Sequence, residues 1–161
     1  MAANQEHDFA RTAARLLQAA RSATLATVQG GRPHAALVTP ALAPDGAVLL
    51  LLSELSAHTR HLRADPRCAL LVTGVPANEN PQTTPRLILR GIADPIEDDA
   101  ARTAYLTIHP YAAGYSGFAD FHFWRLQPDE AYYVGGFGAA APLQIAALHH
   151  EIDTILRKRN D

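Results

Sequence analysis

Five side chains within eight positions, Ser53, Ser56, His58, Thr59 and Arg60, could converge on one anion. Three hydroxyls, an imidazole and a fixed guanidinium charge make a donor set. They stand where an apolar segment, Ala47 to Leu52, gives way to a hydroxyl-rich turn and a short helix. Free amides in the first turn of a helix attract negative charge, so a chain without a glycine-rich loop can still grip a phosphate. A phosphorylated cofactor is the first expectation. The plainer alternative is that Ser56 only caps the helix and Arg60 only meets solvent.

Other chemistry is narrower. Lys158 is the only lysine among 14 basic residues and lies in a charged tail, where little can desolvate it, so covalently held pyridoxal phosphate is set aside. Cys68, the only cysteine, sits in the apolar segment Cys68 to Val72. An intramolecular disulfide is impossible and burial as a small hydrophobe is expected. His58 and His61 share a helix face, yet neither an HExxH pattern nor a Cys/His cluster completes a metal set, and no metal is expected. Ser116, in Gly114-Tyr115-Ser116-Gly117, lacks the spacing and context of a nucleophile elbow. Gly135-Gly136-Phe137-Gly138 has the wrong spacing for a dinucleotide fingerprint and reads as a flexible or close-approach loop.

The elements that must position these residues fit one domain spanning 1–161. With 161 residues, 48% of them apolar and 19% charged, the chain can bury a real core. A net charge of −2 and the absence of an arginine cluster interleaved with aromatics exclude nucleic acid as a partner. The longest aliphatic run is far too short to span a bilayer, and the charged N-terminus is unlike a signal peptide, so a cytoplasmic protein without membrane contact is expected.

The spacing of Phe9, Ala13, Leu16, Leu17 and Ala20 predicts a first helix from Phe9 to Arg21, capped by Asp8. Strands are expected over Ala23 to Val28 and His34 to Ala41, joined at Gly30-Gly31, and again over Ala47 to Leu52. A helix then stops before Pro66 and a strand runs from Cys68 to Thr73. Gly74 to Pro85 reads as a loop, Arg86 to Ala93 as a strand, and Glu97-Asp98-Asp99 opens a helix to Ile108. Two strands, Phe118 to Leu126 and Ala131 to Val134, are expected around a turn at Gln127 to Glu130, then a helix from Leu143 to Arg159. Short strands joined by tight turns point to an antiparallel barrel rather than a doubly wound sheet.

In this order of elements, Leu52-Ser53 running into His58-Thr59-Arg60-x-Leu62 and Asp65-Pro66-Arg67 resembles the FMN-binding split barrels related to pyridoxamine 5'-phosphate oxidase. The segments Pro85-Arg86-Leu87-x-Leu89-x-Gly91, Tyr105-Leu106-x-x-His109-Pro110, Asp120-Phe121 and Gly135-Gly136-Phe137-Gly138-x-Ala140 are similar to the branch that includes haem-utilisation proteins. The resemblance implies a mainly β fold with flanking helices, an antiparallel split β-barrel, and a homodimer with flavin at the subunit interface. It implies an FMN-dependent oxidoreductase acting with a small-molecule substrate or electron donor. Ser53, His58, Thr59 and Arg60 would hold the FMN phosphate, Val38, Thr39 and Pro40 would face the isoalloxazine, and Arg86 would approach the ring or the ribityl chain. Read from the residues alone, Trp124, with Phe121 and Phe123, could border the flavin, the plainer alternative being that aromatics alternating on a barrel strand are core. Basic residues that the oxidases carry on their second strand and near their C-terminus are absent here, so production of pyridoxal phosphate is not expected. The haem side of the resemblance implies the alternatives of a haem-binding or haem-degrading protein, with His109, His149 and His150 as candidate ligands, or a non-catalytic flavin-binding protein.

Overall fold

An apolar run without alternation, such as Val48 to Leu52, must be covered on both faces, and the fold is arranged around that need. In the computed structural model, which describes residues 2–158, the elements run α1 (Ala2–Ala19), β1 (Ala23–Gln29), β2 (Arg32–Val38), β3 (Ala41–Leu42), β4 (Val48–Ser53), α2 (Ala57–Ala64) and β5 (Arg67–Thr73). A short 3-10 turn (Pro81–Thr83) leads to β6 (Arg86–Ile96) and α3 (Asp99–Ile108), and a second (Pro110–Gly114) to β7 (Phe121–Gly136), β8 (Ala139–Leu143) and α4 (Ile145–Arg157). All ladders are antiparallel in one eight-stranded sheet of order β2-β1-β5-β6-β7-β4-β3, with β8 added to β7 off that path. The sheet does not close. Its ends approach where Val38 of β2 and Leu52 of β4 line one groove with no ladder between these strands, which is the split-barrel arrangement.

Two apolar clusters flank β4. Leu50 and Leu52 enter the main core with Leu25, Leu70, Leu89, Trp124 and Leu126, covered by Leu17 of α1 and Leu148 and Ile152 of α4. Leu49 and Leu51 face the other way, onto Ala101 and Tyr105 of α3 and Phe123 of β7. Each buried leucine contributes about 1.5–3 kcal/mol relative to exposure, so both faces hold the strand in place.

Several expectations are corrected. The first helix begins well before Phe9: Asp8 is an interior residue whose carbonyl accepts from Thr12 Oγ1 at 2.9 Å, and Ala, Gln and Glu upstream are all good helix formers. Phe121 to Gly136 is a single strand rather than two. β6 pairs with β7 along its length, while the opposite edge of β7 serves β4 with Phe121 to Leu126 and β8 with Ala131 to Gly136. The expected turn at Gln127 to Glu130 is a bulge, where Arg90 faces Glu130, Gly91 faces Pro128 and Asp129 is the extra residue. Pro128 fits because neither β4 nor β8 pairs with β7 at that point. Gly91 is required there, since a Cβ would lie 2.0 Å from Gln127 O. The glycine-rich loop is the β7–β8 turn, with φ of 124° at Gly136 and 75° at Gly138. Leu143 therefore belongs to β8 and not to the last helix, and the expected helix end at Arg159 lies outside the described residues. Among the described residues no helix is long and apolar enough to cross a membrane.

Candidate functional site

Four of the expected site residues meet in one place. Val38 closes β2, Thr39 follows it, Ser53 ends β4 and His58 lies in the first turn of α2. Together with Leu37, Leu51, Leu52, Ser56 and Phe121 they line an open groove of about 230 Å³. Its walls are mainly apolar. Parity along β7 decides which aromatic reaches it: Phe121 lies on the groove side, whereas Trp124 is 1% exposed in the main core with Arg63 stacked 4.9 Å from its ring. Trp124 therefore does not border the groove.

The remaining residues lie elsewhere. Thr59 is fully buried on the core side of α2 and its Oγ1 has no hydrogen-bond partner. Arg60 is exposed and donates to Leu55 O at 2.6 Å. Pro40 is buried behind the groove, and its carbonyl accepts from His109 Nε2 at 2.8 Å. Arg86 opens β6 opposite Val134, at the other end of β7 from Phe121, where its guanidinium donates to Thr84 O at 3.0 Å and Gln82 O at 3.3 Å. Within one chain, Arg86 and the groove are separate.

The hydroxyls of Ser53 and Thr39 are already engaged. Ser53 Oγ donates to Asp120 Oδ2 at 2.7 Å and accepts from Leu55 N at 3.1 Å. The backbone repeats the tie, with Glu54 N donating to Asp120 O at 2.7 Å. Thr39 Oγ1 lies 2.6 Å from the Tyr105 hydroxyl. Ser56 caps α2 without a side-chain hydrogen bond, so the first-turn amides have no acceptor from it. His58 belongs to a histidine group: His61 Nδ1 is 3.0 Å from Thr27 Oγ1, and the His34 ring meets His61 edge-on at 5.0 Å between centroids. Burial, helped by the charges His34 and His61 would carry, pushes the His58 imidazole down from its ordinary value. His58 is thus held neutral, the form that ligates metal and the form that gives a phosphate no charge.

Among the other candidate histidines, His109 is 1% exposed and uses both ring nitrogens internally: Nε2 on Pro40 O and Nδ1 with Tyr111 Oη at 3.0 Å. Since a carbonyl can only accept, Nε2 carries the proton and Nδ1 receives the Tyr111 hydroxyl. His109 has no nitrogen left for iron. His149 and His150 lie on α4, away from the groove, and His150 is exposed. Cys68 is buried, and desolvation pushes its thiol up to about 12. Asp120 and Tyr105 are the residues that sequence reasoning missed. Both stand in segments that carry the family resemblance, but their partners, Ser53 and Thr39, are more than sixty positions away in the chain.

Comparison with known proteins agrees with this geometry. The chain is 36% identical over 113 residues to the chloroplastic heme oxygenase HOZ of Arabidopsis thaliana, an alignment covering 68% of this chain and 34% of that protein. It superposes on a heme binding protein from Mycobacterium smegmatis with a TM-score of 0.80 and 32% identity, over 90% of this chain and 60% of that one. The chain thus spans about a third of the curated relative and well under the full length of the mycobacterial protein. A protein from Listeria innocua named for pyridoxamine 5'-phosphate oxidase matches with a TM-score of 0.61 and 18% identity, over 79% of this chain and 98% of that one, a likeness of fold alone. With an unclosed antiparallel sheet, relatives of the haem-utilisation kind and a family model matched across residues 4–150, the chain belongs to the CREG β-barrel family of split-barrel proteins.

Proposed function

We propose that the chain is a haem-binding protein that receives the macrocycle against the groove of β2, β4 and α2, and that two copies assemble to complete that site. One observation carries the choice of ligand. Ser53 donates its hydroxyl hydrogen bond to Asp120, so this groove serine offers an anion no donor and stands beside a carboxylate, and the neutral imidazole of His58 is left as the best ligand for iron in the groove. Leu37, Leu51, Leu52, Val38 and Phe121 supply the apolar surface a porphyrin face needs. The two relatives named for haem support the same reading. Bound haem would supply an iron centre and, with an external electron donor, reactivity toward dioxygen. The chain's own residues would bind the macrocycle, orient it through His58 and keep water from its buried face.

Register supports the second copy. On the outer face of the sheet Leu37 stands opposite Thr24, Thr24 opposite Leu71, Leu71 opposite Ile88, and Ile88 opposite Tyr132, making one largely apolar row across five strands. Leu37 is 78% and Tyr132 42% exposed in one chain, and a self-complementary contact along this row would cover them.

A separate observation favours a second reading, an FMN-dependent oxidoreductase. The first turn of α2, without a side-chain cap, stands at the groove with Ser56, and Arg60 follows one turn later, a place for the phosphate at the helix start. The visible spectrum of the purified protein, alone and after separate additions of haemin and FMN with unbound chromophore removed, separates the two. The haem reading expects a Soret band in wild type that is lost or shifted in His58→Ala. A retained flavin spectrum without a Soret band puts the oxidoreductase first, and a colourless protein in every sample sinks both.

A further inference from the structure

Two hydroxyls that line the groove have no proton left to give. Tyr105, fully buried on α3, places its phenol oxygen 2.6 Å from Thr39 Oγ1 and 3.1 Å from Thr39 O. A phenol has one proton, and a carbonyl can only accept. Both contacts are satisfied in one way only: the phenol donates to the carbonyl, and the Thr39 hydroxyl donates to the phenol. Desolvation pushes the Tyr105 phenol up to about 12, so it keeps its proton throughout the ordinary pH range. Ser53 is committed likewise, because its proton goes to a carboxylate that has none to return, and its oxygen already accepts from Leu55 N.

We infer that Thr39 and Ser53 form an acceptor-only wall in the groove, that Tyr105 is the positioning residue that sets its polarity, and that the wall selects a planar ligand by a cyclic-amide N–H edge. The imide of a flavin ring and the lactam of an opened tetrapyrrole both present that chemistry. The inference rests on reading the groove as a chromophore site and goes beyond the haem reading: haem itself carries no such N–H, so the wall acts on an opened tetrapyrrole or on the flavin of the second reading. A ligand that brings only acceptors, such as an ionised carboxylate or phosphate, meets no hydroxyl donor on this wall. It must turn those groups toward Ser56 and the first-turn amides of α2. The groove thus offers acceptors from Thr39 and Ser53 and donors from the first turn of α2.

The arrangement also explains why a wholly buried tyrosine on a separate helix is aimed at the backbone of the groove. Phenylalanine would fill the same space. The hydroxyl is the difference, and its effect is to take the Thr39 proton away from the ligand side.

The test compares lumiflavin with 3-methyllumiflavin, which differ in one N–H, by fluorescence titration of the full chain. Wild type should prefer lumiflavin by about tenfold, the factor expected for one hydrogen bond in a half-open site. In Tyr105→Phe the freed Thr39 hydroxyl can donate to a ring carbonyl, and the preference should fall to about threefold or less. A steric effect of the methyl group would leave the ratio unchanged in that variant, and a general loss of structure would weaken both ligands together. Biliverdin and haemin are titrated on the same samples. Biliverdin bound more tightly than lumiflavin identifies the lactam as the source of the N–H edge, and the reverse order identifies the imide. Haemin retained with equal affinity for the two flavins overturns the acceptor wall while leaving the haem reading intact. Absence of binding by all four chromophores overturns both.

Discussion

Gly91→Ala should destabilise the protein by about 3–5 kcal/mol, and the size follows from the bulge. A Cβ at this position would stand 2.0 Å from Gln127 O and 2.8 Å from both Gln127 C and Pro128 Cα, all backbone atoms of the neighbouring strand. An ordinary carbon–oxygen contact is about 3.3 Å, so β6 and β7 must part by about 1.3 Å. A ladder bond near 2.9 Å would then stretch to about 4.2 Å, beyond hydrogen-bonding range. Losing two such bonds at about 1 kcal/mol each, with the strain of an overpacked contact at about 1–3 kcal/mol, gives the stated range. For a chain of this length the unfolding entropy is about 340 cal/mol/K, so the midpoint of thermal unfolding should fall by about 9–15 °C. Circular dichroism at increasing temperature measures it. Gly114→Ala is the control, because no heavy atom lies within 4 Å of the added Cβ and its φ is outside the left-handed region. Its effect should stay within about 0.5 kcal/mol. A fall of less than about 3 °C at Gly91, or equal effects at the two glycines, would refute the geometry of the bulge.

Asp120→Asn keeps an acceptor for Ser53 Oγ but removes the negative charge from the groove edge, so FMN affinity should rise about fivefold at low salt and less at high salt; isothermal titration at two ionic strengths checks both parts. The depressed imidazole of His58 fixes the pH response of haem binding. Protonation competes with iron only once the pH falls below the folded value, which lies under the ordinary 6.5, so the Soret band should persist through pH 6.5 and fade at more acid pH. By the same sign, the folded state itself loses stability as the pH drops from 6.5 through the depressed value, because the unfolded chain then binds the proton more readily. Loss of the Soret band centred at or above pH 6.5 would remove His58 as the ligand.

Local chemistry made part of the fold legible. Gly30-Gly31, with φ of 55° and 75°, is a turn signal for the β1–β2 hairpin, and the acidic run Glu97-Asp98-Asp99 marks the start of α3, where Asp98 accepts from Ala100 N at 2.8 Å. The apolar run from Ala47 to Leu52 marked a strand, and β4 runs over Val48–Ser53. What failed was punctuation that tertiary context overrides. Gln127-Pro128-Asp129-Glu130 has the composition of a turn, yet β6 continues alongside and Gly91 gives way, so the chain runs straight through with a bulge. Asp8 has the composition of a helix cap, yet α1 packs on α4, where His7 Nδ1 meets the buried Glu151 at 3.0 Å, and the helix extends past Asp8 in the N-terminal direction.

The site was legible in residue type and obscure in what each residue spends its hydrogen bonds on. Ser53, His58, Val38 and Thr39 share one groove because the end of β4 and the start of α2 fall where the apolar run gives way to hydroxyls, although the strand expected over His34 to Ala41 stops at Val38 and Ala41 opens a separate strand. A sequence does not say whether a hydroxyl is a donor or an acceptor. That is decided by Asp120 across the β4–β7 ladder and by Tyr105 from α3, each brought to its partner by the long return of the chain. Once those partners are in place, the serine that looked like a phosphate donor becomes an acceptor beside a carboxylate. The histidine that looked like a phosphate ligand becomes neutral through burial and its histidine neighbours. Both changes move the groove in one direction, away from anions and toward a flat, largely apolar ligand with a metal or an N–H edge.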